Sequence, residues 1–235
     1  MLETVLLCAG YSGSAVLHDV SLSSELGAVT CILGKNGSGK TTLLRSMTGC
    51  LREYGGHIEN GQVLLDGRNV THRQTHELLG LGLAFVPGGG NLVPWMTVRE
   101  NVKLGGILLN NERAVDRRVD QLFEEFPLLH GIAARQAAAL SAGERQIVAI
   151  ARGLVLSPKA VVLDEPLQGL SPQYSRIVLS KLRSIASSSA VLVVEQNARL
   201  VLEYADRGYV LRQGEIALEG DSATLQASFA EGPGH

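Results

Sequence analysis

Short apolar runs recur along the chain, and each one stops at a polar or glycine-rich stretch. Val29-Thr30-Cys31-Ile32-Leu33, Leu83-Ala84-Phe85-Val86, Ala160-Val161-Val162-Leu163 and Val191-Leu192-Val193-Val194 read as strands, the third as a buried parallel one. Val5 to Tyr11 and Ala15 to Leu26, parted by Gly and Ser turns, predict an antiparallel apron in front of the Val29 strand. Gly55 to Gly67 alternates turn signals with a β-rich run, and the polar stretch Asn69 to Leu81 predicts a helix. Tyr209-Val210-Leu211 and Glu215-Ile216-Ala217-Leu218 flank Gln213-Gly214 as a closing hairpin.

Helical spacing governs the middle third. Thr97-Val98-Arg99-Glu100 is a capping box, and Val115, Val119, Leu122, Phe123 and Phe126 form a stripe read as core rather than as a docking face. Ser141-Ala142-Gly143-Glu144 is a second box, opening a helix that turns Ile147, Val148, Ala151, Leu154 and Val155 one way before Ser157-Pro158 stops it. The expectation is an α/β fold in one domain over 1–235, with core and β lobe at 1–88 and 158–220, a helical lobe at 89–157 and a peripheral tail over 221–235.

The first chemistry lies between the Val29 strand and the run Thr42 to Thr48. Gly34-Lys35-Asn36-Gly37-Ser38-Gly39-Lys40-Thr41 fits G-x-x-x-x-G-K-[ST] in the strand-loop-helix setting the motif needs. Polyphosphate requires many short-range donors; a glycine loop lets backbone N–H groups close on the oxygens, and a helix N-terminus adds partial positive charge. Lys40 is placed to bridge terminal phosphates, and the Thr41 hydroxyl to complete a Mg²⁺ shell.

Asp164-Glu165 end a strand where open α/β sheets bind ligands. There Asp164 suits a metal held through its water shell, and Glu165 suits orienting or deprotonating an attacking water, an acidic turn being the plain alternative. Glu195-Gln196-Asn197 put a third polar cluster on the same rim. Tyr11 at a strand end reads from spacing as rim packing ahead of stacking on adenine, with Val16 near enough to share either role. Ser141 opens an ordinary helix or an anion site, and Pro87 to Asn91 forms a hinge or a solvated loop.

Composition removes other classes. Lys plus Arg total 21 against 23 Asp plus Glu, so no charge argument favours nucleic acid, and no basic tract appears. Cys8, Cys31 and Cys50 are an odd set without C-x-x-C spacing, which argues for reduced thiols and against zinc. Met1 to Leu7 lacks the features of a signal peptide, and no run reaches the roughly 18 apolar residues of a membrane span, so a membrane role is expected to pass through a partner.

Taken in order, these parts resemble the ATP-binding subunit of an ABC transporter from about Tyr11 to Gly220. Gly34 to Thr41 is the phosphate loop, Leu140-Ser141-Ala142-Gly143-Glu144 is similar to the L-S-G-G-Q signature, and Leu163-Asp164-Glu165-Pro166 is similar to the Walker B strand. The resemblance implies a P-loop NTPase with a mostly parallel core sheet, an antiparallel β apron and an inserted helical subdomain. It implies ATP and Mg²⁺ as ligands, with Gly34, Lys35, Asn36, Gly37, Ser38, Gly39, Lys40, Thr41 and Thr42 on the phosphates and Thr41 and Asp164 at the metal. Lys40, Glu165 and Gln196 become catalytic, Tyr11 gains adenine stacking beside Val16, and Ser141, Gly143 and Glu144 meet the nucleotide of a second subunit in a head-to-tail dimer.

Within the family the chain is similar to the second, shorter ATPase of branched-chain amino-acid importers and their urea or amide relatives. The cues are Val86-Pro87, Met96 to Val102, Asp164 to Pro172, Val194 to Ala198 and Ala205 to Leu211. This implies integral-membrane permease subunits, a second ATPase or another copy as partner, a solute-binding protein acting indirectly, and a cytoplasmic place on the inner face of the membrane. Gln196 stands where the first ATPase of such importers has His, so an orienting role without proton transfer is expected. Three positions depart from the family pattern: Gly88 replaces a metal-touching Gln or Glu, Ala142 the first signature Gly, and Leu167-Gln168 the small residues after Walker B. Gly88 supports an alternative, a regulatory or non-transport ATPase of weak turnover.

Overall fold

The computed structural model describes residues 1–231. Its strands are β1 (Leu2–Tyr11), β2 (Ser14–Ser24), β3 (Val29–Leu33), β4 (Gly56–Leu65), β5 (Arg68–Asn69), β6 (Leu83–Val86), β7 (Ala160–Asp164), β8 (Ala190–Glu195), β9 (Arg207–Arg212) and β10 (Glu215–Asp221). The helices are α1 (Lys40–Met47), α2 (Thr75–Leu81), α3 (Val98–Lys103), α4 (Glu112–Glu125), α5 (Ala142–Gly153), α6 (Pro172–Ala186), α7 (Ala198–Val201) and α8 (Ser222–Glu231). One sheet is antiparallel with order β2-β1-β4-β5, and the other has order β10-β9-β3-β8-β7-β6, parallel except for β10.

Alternate residues of the central strands serve two cores. Val29, Cys31, Leu33, Val161, Leu163, Val191 and Val193 pack with Val98, Val119, Leu122, Ile147, Val148 and Leu179 of the helices. Ile32, Val162, Leu192 and Val194 face the other way, onto Leu43 and Met47 of α1 and onto Leu7, Leu17 and Val63 of the antiparallel sheet. A parallel sheet covered on both faces has no polar side to show, which is why its strands read as unbroken apolar runs.

The capping boxes form as the sequence predicts. Thr97 and Ser141 each accept from the backbone N–H three residues on, and Glu100 and Glu144 reach back to the cap N–H. The predicted stripe of α4 is buried, and Asn111 caps that helix through a hydrogen bond from Ala114 N–H at 3.1 Å.

Three expectations are corrected. The helix predicted over Asn69–Leu81 is confined to Thr75–Leu81. Asn69 ends β5, and its Oδ1 accepts from Thr71 N–H at 3.0 Å and the Thr71 hydroxyl at 2.6 Å, local bonding that competes with helix formation until Gln74 and Glu77 supply a cap. Helix α5 stops at Gly153, short of Ser157-Pro158, although Leu154 and Val155 stay buried. The tail is not wholly peripheral: Asp221 accepts from Thr224 N–H at 2.7 Å to start α8, and Leu225 is fully buried. Gly208 makes the room, since a Cβ there would lie 2.7 Å from Leu225 Cδ1 and 2.6 Å from Cys31 Sγ. Residues 232–235 of the predicted tail lie outside the described residues.

Leu225→Ala is therefore expected to destabilise the chain by about 2–5 kcal/mol in urea unfolding, the cost of emptying a buried leucine site. A loss no larger than the roughly 0.5 kcal/mol of a surface change would return α8 to the periphery.

Candidate functional site

Parallel pairing sets Leu33 of β3 opposite Glu195 of β8 and Val210 of β9, and the chain turns into the glycine loop at that edge. Gly34 is required by space, because a Cβ would stand 2.5 Å from Ser38 Oγ and 2.6 Å from Leu211 O. Gly39 is required by conformation as well: its φ is +105°, and a Cβ would meet Leu17 Cδ2 at 2.9 Å. Lys40 is buried and donates from Nζ to Gly34 O at 2.6 Å and Lys35 O at 3.1 Å. Lys35, Asn36 and Gly37 are exposed, Thr41 is exposed at the first turn of α1, and Thr42 is buried behind it.

Two features of this loop suit an anionic ligand. Ser38 Oγ is buried without a hydrogen-bond partner among the described residues. The cap of α1 is a glycine with no side chain to cover the first free N–H groups.

Across the rim, Asp164 of β7 pairs with Val194 of β8, and Glu165 N–H donates to Val194 O at 2.8 Å. Glu165 has φ +40°, the left-handed region that an L side chain enters only at a cost. Beyond Pro166, the Leu167 N–H donates to Glu195 Oε1 at 2.8 Å. Burial pushes the Asp164 carboxyl up and the neighbouring Glu165 charge adds to this, while Lys40 and Arg45 oppose it. Burial pulls Lys40 down, against the pull of Glu165, Asp164 and Glu195. Glu195 is pushed up to about 7, chiefly by burial.

Three carboxyl groups, two of them pushed up by burial, stand against the Lys40 ammonium and the Arg45 guanidinium and leave room at the rim for a further positive charge. That balance, with the Thr41 hydroxyl and the Asp164 carboxylate as oxygen donors, fits a hard divalent cation that keeps most of its shell as water and phosphate. No group of three or more His, Cys, Asp or Glu able to hold a metal occurs among the described residues.

Gln196 is exposed and lines two pockets, one of ≈ 510 Å³ shared with Gly34 to Ser38 and one of ≈ 540 Å³ shared with Glu165 and Glu195. It thus links the phosphate loop to the carboxylates. Val16 is half-buried with its carbonyl at Gly214, the residue that faces Gly39. Tyr11 is half-buried; its hydroxyl accepts from Arg45 at 3.2 Å, and its ring edge limits Gly56. That is the rim packing read from spacing, and Arg45 in turn lies 3.6 Å above the Tyr54 ring.

The signature residues line neither pocket. Ser141 is exposed at the start of α5, where its hydroxyl accepts from Glu144 N–H at 3.3 Å. Glu144 donates nothing to the rim: it accepts from Ser141 N–H at 2.7 Å and from Arg135 at 2.9 Å. Gly143 has a packing reason of its own, because a Cβ there would meet the Tyr174 ring at 2.3 Å. Gly88 is exposed beside the rim, a Cβ there lying 3.1 Å from Asp164 O, and Arg152 of α5 ties the same loop by donating to Gly90 O and Asn91 O. Sequence reading named neither Arg152 nor Arg45. It saw Glu195 only as part of a polar cluster, and the signal available was a carboxylate ending an apolar strand.

The ABC transporter family model matches residues 17–168. A relative from Archaeoglobus fulgidus, named "Probable branched-chain amino acid transport ATP-binding protein LivF", is 36% identical over 96% of this chain and 94% of its own length. The lipopolysaccharide export system ATP-binding protein LptB of Acidithiobacillus ferridurans is 32% identical over 94% and 90%. Among solved structures, the ADP conformation of MJ1267, an ATP-binding cassette of an ABC transporter, aligns with a TM-score of 0.84 at 29% identity over 98% of this chain and 95% of that one. A dimeric post-hydrolysis state of the cassette MJ0796 bound to ADP and Pi aligns with a TM-score of 0.78 at 25% identity over 94% and 99%.

Gly39→Ala, which forces a side chain into the left-handed turn against Leu17, is expected to weaken ADP and ATP binding about tenfold or more in a titration, a penalty of the size that backbone strain carries. Parental affinity would show that the loop does not need this conformation. By the match over most of its length and by the fold that carries the phosphate loop, this chain belongs to the ABC transporter ATP-binding family and is an ATPase of that type.

Proposed function

We propose that this ATPase energises a membrane importer by closing on ATP as a head-to-tail dimer and reopening after hydrolysis. The observation that carries the reading is the gathering of Lys40, Asp164, Glu165 and Gln196 on one rim, while Ser141 stands exposed at a helix start outside both rim pockets. A signature end exposed outside both rim pockets supports a nucleotide shared between two subunits, and the dimeric ADP-bound cassette among the solved relatives is consistent with it.

In this reading residues 34–42 wrap the phosphates, and Lys40 leaves the loop carbonyls to neutralise the oxygens. Thr41 and Asp164 would hold Mg²⁺, which would supply charge neutralisation at the phosphates. Water attacks the γ-phosphorus, Glu165 takes its proton, and the bond to the β-phosphate oxygen breaks, leaving ADP and phosphate. Gln196 orients these groups by hydrogen bonding, Tyr11 stacks on adenine beside Val16, and Ser141, Gly143 and Glu144 close over the partner's nucleotide.

The cargo read from the motifs and from the LivF likeness is a branched-chain amino acid or a related small polar solute. The LptB relative is named for lipopolysaccharide export, so relatives of this ATPase body carry names for different cargoes. In this reading attachment to the inner face runs through permease subunits; no described helix is long and apolar enough to cross a membrane. A second reading, a regulatory ATPase with slow turnover, is favoured by Gly88, which presents no side chain beside Asp164.

Glu165→Gln should bind Mg-ATP, accumulate as an ATP-loaded dimer in size-exclusion light scattering, and lose about 100-fold or more in turnover, as removal of a general base does. Hydrolysis at the parental rate would contradict the assignment. Capture of a multi-span membrane protein with the tagged chain supports transport, whereas a soluble partner alone supports the second reading.

A further inference from the structure

The turn that presents Glu165 is fastened to β8 at two points. Glu165 N–H donates to Val194 O at 2.8 Å, and two residues on Leu167 N–H donates to the Glu195 side chain at 2.8 Å. Pro166 between them has no N–H, so Leu167 is the first donor past Glu165 that can be tied down. Glu165 itself takes φ +40°, left-handed backbone that an L side chain enters only at a cost. Leu167 and Glu195 are both buried, so removing the acceptor takes from this amide its one hydrogen bond among the described residues.

We propose that Glu195 is a positioning residue for hydrolysis: by accepting the Leu167 N–H it locks the strained Glu165-Pro166-Leu167 turn and so aims the Glu165 carboxylate. The proposal rests on the reading of Glu165 as the base. Glu195 does not belong to the phosphate loop, and it lines the pocket that holds Glu165, Gln196 and Ser175. Its effect through the turn is therefore on the chemical step, while the charge it directs at Lys40 is lost alike in leucine and glutamine variants. What the turn needs from residue 195 is a hydrogen-bond acceptor, which glutamine also offers.

Steady-state ATP hydrolysis, nucleotide titration and hydrogen exchange at the Leu167 amide test this with Glu195→Leu and Glu195→Gln. Glu195→Leu should lower kcat about tenfold or more with KM and nucleotide affinity within about twofold, the signature of an interaction lost only in the transition state. Its Leu167 amide should exchange faster. Glu195→Gln should keep kcat within about threefold of the parent and leave the amide protected. Parental kcat in the leucine variant, equal losses in both variants, or a loss of affinity matching the loss of kcat would overturn the role. If the leucine variant fails to fold, Glu195→Gln decides: parental behaviour upholds the acceptor role, and a tenfold loss of kcat overturns it. Glu165→Gln measured alongside separates the two ideas. If it is inactive while Glu195→Leu is parental, only the Glu195 role fails; if it hydrolyses at the parental rate, the base assignment fails and this proposal with it.

Discussion

Hydrogen bonds between the parallel strands β3, β8 and β7 set Leu33 opposite Glu195 and Asp164 opposite Val194, so three strand ends finish on one rim. Neighbouring strands lie about 4.8 Å apart, which puts the start of the phosphate loop and the Asp164-Glu165 tip within about two strand spacings. Parallel pairing of this kind survives only with both faces covered. The helices α3 to α6 cover one face, and α1 with the antiparallel sheet covers the other. The antiparallel sheet also reaches the site directly, since Leu17 of β2 limits Gly39 in the loop.

The rim concentrates features that cost stability. Lys40 and Glu195 are buried, Asp164 is half-buried, and Glu165 sits in left-handed backbone. Each is unfavourable alone. Together they offset one another in part, because the carboxylates favour the charged form of Lys40 and Lys40 favours the charged form of Asp164. What remains is a group of carboxyls beside a loop of free N–H groups, an arrangement that suits a polyanion arriving with a divalent cation. The unpartnered Ser38 hydroxyl belongs to the same account.

Features encoded within a few residues were legible from the sequence. The glycine loop, the capping boxes at Thr97 and Ser141 and the apolar strands each depend on near neighbours, and each formed where predicted. Features set by distant partners were not. The Leu167 amide meets Glu195 only because β7 and β8 are adjacent, and Leu225 is buried only because Gly208 leaves space for it. Asn69 looked helical by polarity, yet its side chain bonds Thr71 and ends the extended segment. Gly143 was read through the signature motif, and the Tyr174 ring against it gives a second reason for glycine that no local pattern carries.

A crystal structure of the chain with Mg²⁺ and a non-hydrolysable ATP analogue tests the rim as the nucleotide site most directly. The account predicts that the triphosphate lies along residues 34–42, that Lys40 Nζ has exchanged Gly34 O and Lys35 O for phosphate oxygens, and that the terminal phosphate faces Glu165. A triphosphate seated elsewhere, or a Lys40 still bound to its own loop with nucleotide present, would contradict it.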